Sequence, residues 1–259
     1  MTNKYNLPES FEEQRQPFLI PSQYKKIGLL ADVHIPYHSL KNNEIAIDAL
    51  IKYNVDCVII NGDLLDFYQL SKFQKDPRKR SVADELEATR QYLDVLAQYI
   101  GKRIFYKLGN HDERYEKYLM TKAPELLGIS EFRLDILLKL GEKKIEYITD
   151  KRKIMAGGLT ILHGHELNMK SVIVNPARSL FLKAKVSSLC SHLHIPSHHP
   201  GKRIDGHIIG CWSTGHLGDE SPHYAPYNEW MPGFAIIDVD GKEFEVSNFK
   251  NVNNKAYRT

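Results

Sequence analysis

The chain has 259 residues, with 35 Lys and Arg against 32 Asp and Glu, and its charged (26%) and hydrophobic (42%) fractions are ordinary for a globular protein. Wholesale disorder is excluded, and a formal net charge of +3 is too weak for a surface that coats nucleic acid or membrane. Three cysteines, Cys57, Cys190 and Cys211, lack CxxC spacing and fit a reducing compartment, so a cytoplasmic protein is expected. Twelve histidines stand out, and their positions are informative.

In chain order, residues 1–25 read as a polar lead with Pro8, Pro17 and Pro21 and no signal-peptide core, and residues 26–259 as one domain. Residues 27–31 form a continuous apolar run, the mark of a strand buried on both faces. Residues 42–53 follow a helical stripe of Ile45, Ala46, Ala49 and Leu50, and 55–60 are a second buried strand. A longer helix is expected over 82–100, stopped by Gly101, then a third strand over 104–108. This alternation predicts right-handed parallel crossovers, with functional residues at the strand ends. Beyond it, a helical stretch over 113–140 precedes strand-like runs at 145–148, 153–163, 189–194 and 204–212, with a helix near 175–184. Runs at 234–239 and 244–249 flank Asp240-Gly241, a type I′ hairpin signal. No apolar stretch approaches the length of a membrane span.

Each apolar strand ends in polar residues of one chemical kind. These are Asp32-Val33-His34, Gly62-Asp63-Leu64-Leu65-Asp66, Gly109-Asn110-His111-Asp112, His163-Gly164-His165 and His192-Leu193-His194. The pairs Asp32/His34 and His192/His194 are two residues apart, which on extended backbone turns both side chains to one face. Mixed imidazole, carboxylate and amide donors suit Mn²⁺, Fe or Zn²⁺ rather than Ca²⁺. Any one group also occurs as turn chemistry or as surface histidines; the five together, in order, point to a metal centre.

With these motifs the chain resembles the calcineurin-like metallophosphoesterase superfamily over roughly residues 26–249. The resemblance implies an α/β four-layer sandwich, two facing mixed β-sheets flanked by helices. It further implies two divalent metals, Mn foremost, with Fe, Zn, Ni or Mg as alternatives. Asp32, His34 and His194 would hold the first, Asp63 would bridge, and Asn110, His163 and His192 would complete the second. His111 would be the catalytic histidine and Asp66 the carboxylate that fixes its tautomer. His163 and His165 compete for one ligand position; His163 is preferred because it precedes the glycine, leaving His165 for substrate. Arg114 either clamps a phosphate oxygen or pairs with Glu113 or Glu116. Ser191 stands where the family's last motif has glycine. Phe67 replaces the Arg that protein serine/threonine phosphatases carry, and His111 is retained where lipid-A pathway hydrolases have Arg.

Two divalent ions facing two carboxylates leave a positive site that attracts phosphate and activates water for in-line attack. The activity expected is a phosphodiesterase acting on a nucleotide or nucleic acid, including the nuclease branch. Its rivals are a phosphomonoesterase of small metabolites and a non-catalytic binding protein. Two further features admit either a substrate role or a bland one. The basic run 75–80 is a backbone-steering patch or a solvated helix start, and the aromatics of 212–230, among them His216, His223, Tyr224, Tyr227 and Trp230, stack on bases or cover a sheet edge.

Overall fold

The apolar runs are continuous because both faces of their strands are covered. The computed structural model describes residues 4–8, 15–72, 75–76, 78, 81–149, 151–169, 174–222 and 225–259. A short strand β1 (Phe18–Leu19) precedes β2 (Lys26–Leu30), α1 (Leu40–Lys52), β3 (Cys57–Asn61), α2 (Val82–Tyr99) and β4 (Arg103–Lys107). Strands β2, β3 and β4 pair in parallel, as the strand–helix alternation predicts. Each helix is started by a side chain: Ser39 Oγ accepts from the Asn42 amide at 3.3 Å, and Ser81 and Asp84 form a capping box on α2. Gly101, at φ +64°, follows α2 as expected.

The stretch 113–140 is not one helix. It breaks into α3 (Arg114–Lys122), two 3-10 turns and the single turn α4 (Leu134–Leu137). Pro124 explains the first break: it offers no amide and forces Ala123 to φ −151°. Strand β5 (Glu146–Ile148) then extends the parallel set beside β4. The run 153–163 also divides, into β6 (Ile154–Ala156) and β7 (Leu159–Ile161), because Gly157 takes φ +58° and turns the chain back at Gly157-Gly158.

After α5 (Pro176–Ala184) and β8 (Ser188–Cys190) comes a strand absent from the sequence reading, β9 (Ser197–Lys202). Its Pro200 and Gly201 carry no strand signal, and it lies at a sheet edge, where proline is tolerated. It pairs with β10 (Ile208–Ser213), which starts later than the predicted run from 204. Strands β11 (Gly233–Asp240) and β12 (Glu243–Val252) form the expected hairpin, one residue out of the predicted register. Asp240 pairs with Glu243, so the loop is Gly241-Lys242, and only Gly241 is left-handed (φ +59°), a type II′ pattern rather than type I′. A further hairpin joins β12 to β13 (Lys255–Arg258) through Asn253-Asn254, both at positive φ.

The strands form two mixed sheets, ordered β13-β12-β11-β2-β3-β4-β5 and β1-β6-β7-β8-β10-β9. Phe18 and Leu19, inside the stretch read as a lead, pair with Ile154 and Met155 at the edge of the second sheet. Three apolar clusters separate four layers. Ile27, Leu29, Ile59, Phe105 and Ile237 meet Ile154, Ile161 and Leu189 between the sheets. Leu30, Val58, Ile60, Tyr106 and Ile236, one residue out of phase, face Leu50, Leu93 and Leu96 of the outer helices. Ala177 and Leu180 of α5 cover Cys190, Ile209 and Cys211 on the far side. Two mixed sheets flanked by helices are the architecture expected.

A carboxyl group of α2 lies inside this packing. Glu85 of α2 is fully buried, accepts the Phe67 amide at 2.7 Å through Oε2, and has no hydrogen-bond partner at Oε1. Burial and the Asp66 charge push its carboxyl up to about 8 from 4.5. An acid whose folded value lies above its unfolded one holds an extra proton when folded. Its stabilisation is therefore complete below about 4.5 and lost as pH rises through about 8. In urea denaturation, the stability difference between the wild type and Glu85→Gln should shift against the wild type by about 1.4 kcal/mol per pH unit within that window.

Candidate metal centre

The five polar strand ends meet at one edge of the two sheets, but not on extended backbone. Asp32, His34, Asp63, His192 and His194 all have φ between 51° and 71°, in the left-handed region. Alternate left-handed residues, rather than a pleat, turn Asp32 and His34 inward, and likewise His192 and His194. Such a residue costs about 1–3 kcal/mol and persists only where its surroundings hold it. The holding contacts are specific: Asp32 N donates to Gly62 O at 3.0 Å, His34 N to Asp63 O at 3.0 Å, and His192 N to the Asp32 carboxylate at 3.0 Å. Glycine is required at Gly62 (φ +89°), where a Cβ would collide with the His163 ring, and at Gly109, where it would collide with Asp63.

The donors gather in overlapping groups: Asp32, His34 and His194; His34, Asp63 and His111; Asp63, His163 and His192. Within each, the ligand atoms lie within 4.8 Å of one another. Asn110 Oδ1 joins them at 3.2 Å from His163 Nε2. Their lone pairs converge. His163 Nδ1 is bonded to Asn61 O at 2.7 Å, which turns Nε2 toward the hollow, 3.3 Å from Asp63 Oδ2. His34 Nδ1 meets Asp66 at 3.2 Å, so its Nε2 faces His194 Nε2 across 3.4 Å. Asp32 Oδ1, fully buried, has no hydrogen-bond partner. A buried, acceptor-rich hollow of this kind calls for a cation, and the donor set fits divalent ions of the transition series.

Electrostatics follow from the two carboxylates. Burial pushes Asp32 up, but His194 and His163 hold it down at about 2; Asp63 is likewise held well below the usual range by His163 and His111. His163, although buried, is pushed up to about 10 by Asp63 and Asp32, whereas burial and the neighbouring His163 charge depress His192 to about 4.

A second layer escaped the sequence reading. Asp112, in the GNHD string but without an expected role, accepts the backbone amides of Asp63 (2.8 Å), Leu65 (3.0 Å) and Gly109 (2.8 Å), tying two motif loops together. Burial and the Asp63 charge push its carboxyl up to about 7, against the Gly109 and Leu65 amides and the Tyr106 hydroxyl. Glu166 does the same under the His163 loop, accepting from His163 N at 3.2 Å and Gly164 N at 2.7 Å. Its counter-charge is Lys107 at 2.8 Å, a lysine only 1% exposed that also donates to Arg152 O. A lysine ending an apolar strand was the available signal. Ser191, in place of glycine, accepts from Asn61 at 2.9 Å and from Thr214 at 3.0 Å, so the hydroxyl is absorbed without disturbing the loop.

The remaining expected residues are placed as follows. Asp66 Oδ1 lies 3.0 Å from His111 Nδ1 as well as 3.2 Å from His34 Nδ1, and these contacts hold its carboxyl far below the usual range despite burial. Arg114 pairs with neither Glu113 nor Glu116; it donates to Asp66 O at 2.8 Å, and its Nη2 lies 2.9 Å from His111 Nε2. His165 stands outside the donor groups, 3.1 Å from Glu113. In the basic run, Arg78 is paired with Asp76 at 2.9 Å, and residues 77, 79 and 80 lie outside the described residues, as do His223 and Tyr224. Trp230 reaches the centre, its ring 4.6 Å from that of His194.

With fold and site in hand, the comparisons are consistent. The model of the calcineurin-like phosphoesterase family matches residues 25–211, and the chain belongs to this family. It is 25% identical over 233 residues to the Gene 54 protein of Mycobacterium phage L5, covering 84% of this chain and 90% of that one. Among solved structures it is similar to Vacuolar Protein Sorting 29 from Cryptosporidium parvum, at TM-score 0.50 and 12% identity, covering 91% and 96% of the two chains. It is also similar to Yfce, a phosphoesterase from E. coli, at TM-score 0.41 and 15% identity, covering 83% and 89%. No helix among the described residues is long and apolar enough to cross a membrane.

Removing one partner of the buried Lys107–Glu166 pair strands the other charge. Lys107→Met should cost about 3–5 kcal/mol in chemical denaturation, and adding Glu166→Gln should recover a large part of it.

Proposed function

We propose that the protein is a metal-dependent phosphodiesterase acting on a nucleotide or nucleic acid. The observation that carries this reading is the convergence of imidazole nitrogens and carboxylate oxygens on one hollow, with every donor of the motif set present. Asp32, His34 and His194 would hold one divalent ion and Asn110, His163 and His192 another, with Asp63 between them and Mn²⁺ the foremost candidate. Bound there, the ions would supply a nucleophile from water at neutral pH and neutralise charge on the phosphate oxygens.

The chain's own residues do the rest. Asp66 fixes the His111 ring through Nδ1, leaving Nε2 toward the open side. Arg114 rests on that nitrogen, and its guanidinium is the nearest cation to take a phosphate oxygen when substrate enters. His111, released from Arg114 and protonated at Nε2 from solvent, would give that proton to the departing oxygen. His165 is held by Glu113 at the margin, where it would meet substrate rather than metal. The three cysteines are free and buried, which suits a reducing cytoplasm.

Protein loaded with Mn²⁺ is to be offered a phosphodiester chromogen, a monoester chromogen, cyclic nucleotides, and single- and double-stranded DNA. Turnover of diesters is expected; turnover of the monoester alone would replace this reading with a phosphomonoesterase, and none with metal bound would end the enzymatic one. His111→Ala should keep its metal and lose about 10²–10⁴-fold in rate on substrates with poor leaving groups. By elemental analysis, Asp63→Asn and His163→Ala should lose metal while His165→Ala keeps it; full occupancy in His163→Ala would reassign the ligand.

A further inference from the structure

The segment after β10 folds back onto the metal centre in a way the motif set does not explain. His216, 1% exposed, stacks on His194 with ring centroids 4.8 Å apart and planes at 15°. The half-buried Trp230 is steeply inclined to both rings, at 75° and 4.6 Å from His194 and at 67° and 5.8 Å from His216. Backbone bonds lock this arrangement: Met231 N donates to His194 O at 2.8 Å, and His216 N to Met231 O at 3.2 Å. Trp230 is therefore fixed against a metal-ligand candidate.

Trp230 also lines a pocket of about 450 Å³ together with Glu220, Tyr227, Asn228 and Glu229. That volume lies within the range of small-ligand sites. The pocket is built rather than incidental. Asn228 donates to Glu220 O at 2.9 Å and Ala225 O at 2.8 Å and accepts the Trp230 amide at 2.8 Å, so one side chain shapes the whole turn. Glu220 is anchored to Asn42 at 2.8 Å. Tyr227, by contrast, is 98% exposed, a large ring presented to solvent at the pocket. Glu229 has no ionic partner among the described residues.

Resting on the phosphoesterase reading, we propose that this pocket is the subsite for the organic group of the ester, and that the group is a planar heteroaromatic ring bearing N–H donors. Trp230 and Tyr227 offer stacking surface, and stacking of a base on an aromatic side chain is a sequence-tolerant source of binding. Glu229 accepts from ring N–H groups. The two carboxylates repel further phosphates, so the occupant is a single nucleoside-like group rather than the next unit of a polyanionic strand. The substrate class follows: a small nucleoside phosphodiester, with nucleic acid strands disfavoured.

The test holds the leaving group constant. The p-nitrophenyl ester of thymidine 5′-phosphate and methyl p-nitrophenyl phosphate release the same phenolate and differ only in the retained group. The wild-type protein with Mn²⁺ should favour the thymidine ester by roughly tenfold or more in kcat/KM. Trp230→Ala should bring the ratio near one, and Trp230→Phe, which keeps packing against His194, should leave an intermediate ratio. The exposed variant Glu229→Ala should lower the ratio without risk to folding. No preference in the wild type, or a ratio unmoved in all three variants, overturns the subsite. Calorimetry with thymidine 5′-phosphate against methyl phosphate separates this inference from the catalytic reading. If neither ester is cleaved yet the nucleotide binds more tightly in a Trp230-dependent way, the subsite stands and the phosphodiesterase reading falls. If neither ester is cleaved and binding shows no preference, both fall.

Discussion

Two carboxylates, Asp32 and Asp63, are buried against each other's charge at the ends of adjacent parallel strands, and the rest of the centre answers that pairing. Left alone, two such anions would protonate or break apart. Here, instead, imidazoles face them from three sides, and the charge they create reaches as far as His163, drawn up to about 10. The surplus of acceptor lone pairs over protons is the electrostatic statement of a cation site. It arises from geometry at strand ends, so the near-neutral composition of the whole chain neither reveals nor opposes it.

Holding that arrangement demands unusual backbone. Five ligand candidates sit in left-handed conformations; four are pinned by hydrogen bonds to another motif loop, and His194 by the amide of Met231. Asp112 and Glu166 are the clearest examples: acids outside the donor groups, each gathering backbone amides of the motif loops. The charge of Glu166 is in turn answered by Lys107, at the end of β4. Strain at the ligands, carboxylates beneath them and a lysine beneath one of those form a chain of dependence running outward from the hollow.

How much of this was legible depends on the range over which each signal acts. The parallel strands and their crossover helices were readable because burial on both faces leaves runs such as 27–31 and 55–60 wholly apolar. The donor residues were readable because chemistry concentrates at strand ends. What failed was local geometry. Asp32 and His34 do point the same way, but through left-handed backbone, which spacing cannot distinguish from a pleat. The helix over 113–140 ignored Pro124, and the Gly241 turn differs from the type expected by the sign of one dihedral. The contacts of Lys107, Glu166 and Trp230 were unreadable because their partners lie far along the chain, at residues 166, 107 and 194.

The donors do not come from one sheet. Asp32, Asp63 and Asn110 follow strands of the seven-stranded sheet, whereas His163, His192 and His194 follow strands of the six-stranded one. An ion held among them would be a rivet through two sheets that meet over an apolar interface and are already tied at this edge by Lys107–Glu166, Asn61–Ser191 and His192–Asp32. Binding energy gained at the rivet is stability gained by the seam, in proportion to the logarithm of free metal. Along that seam, the supply of metal would then bear on how firmly the two sheets hold together.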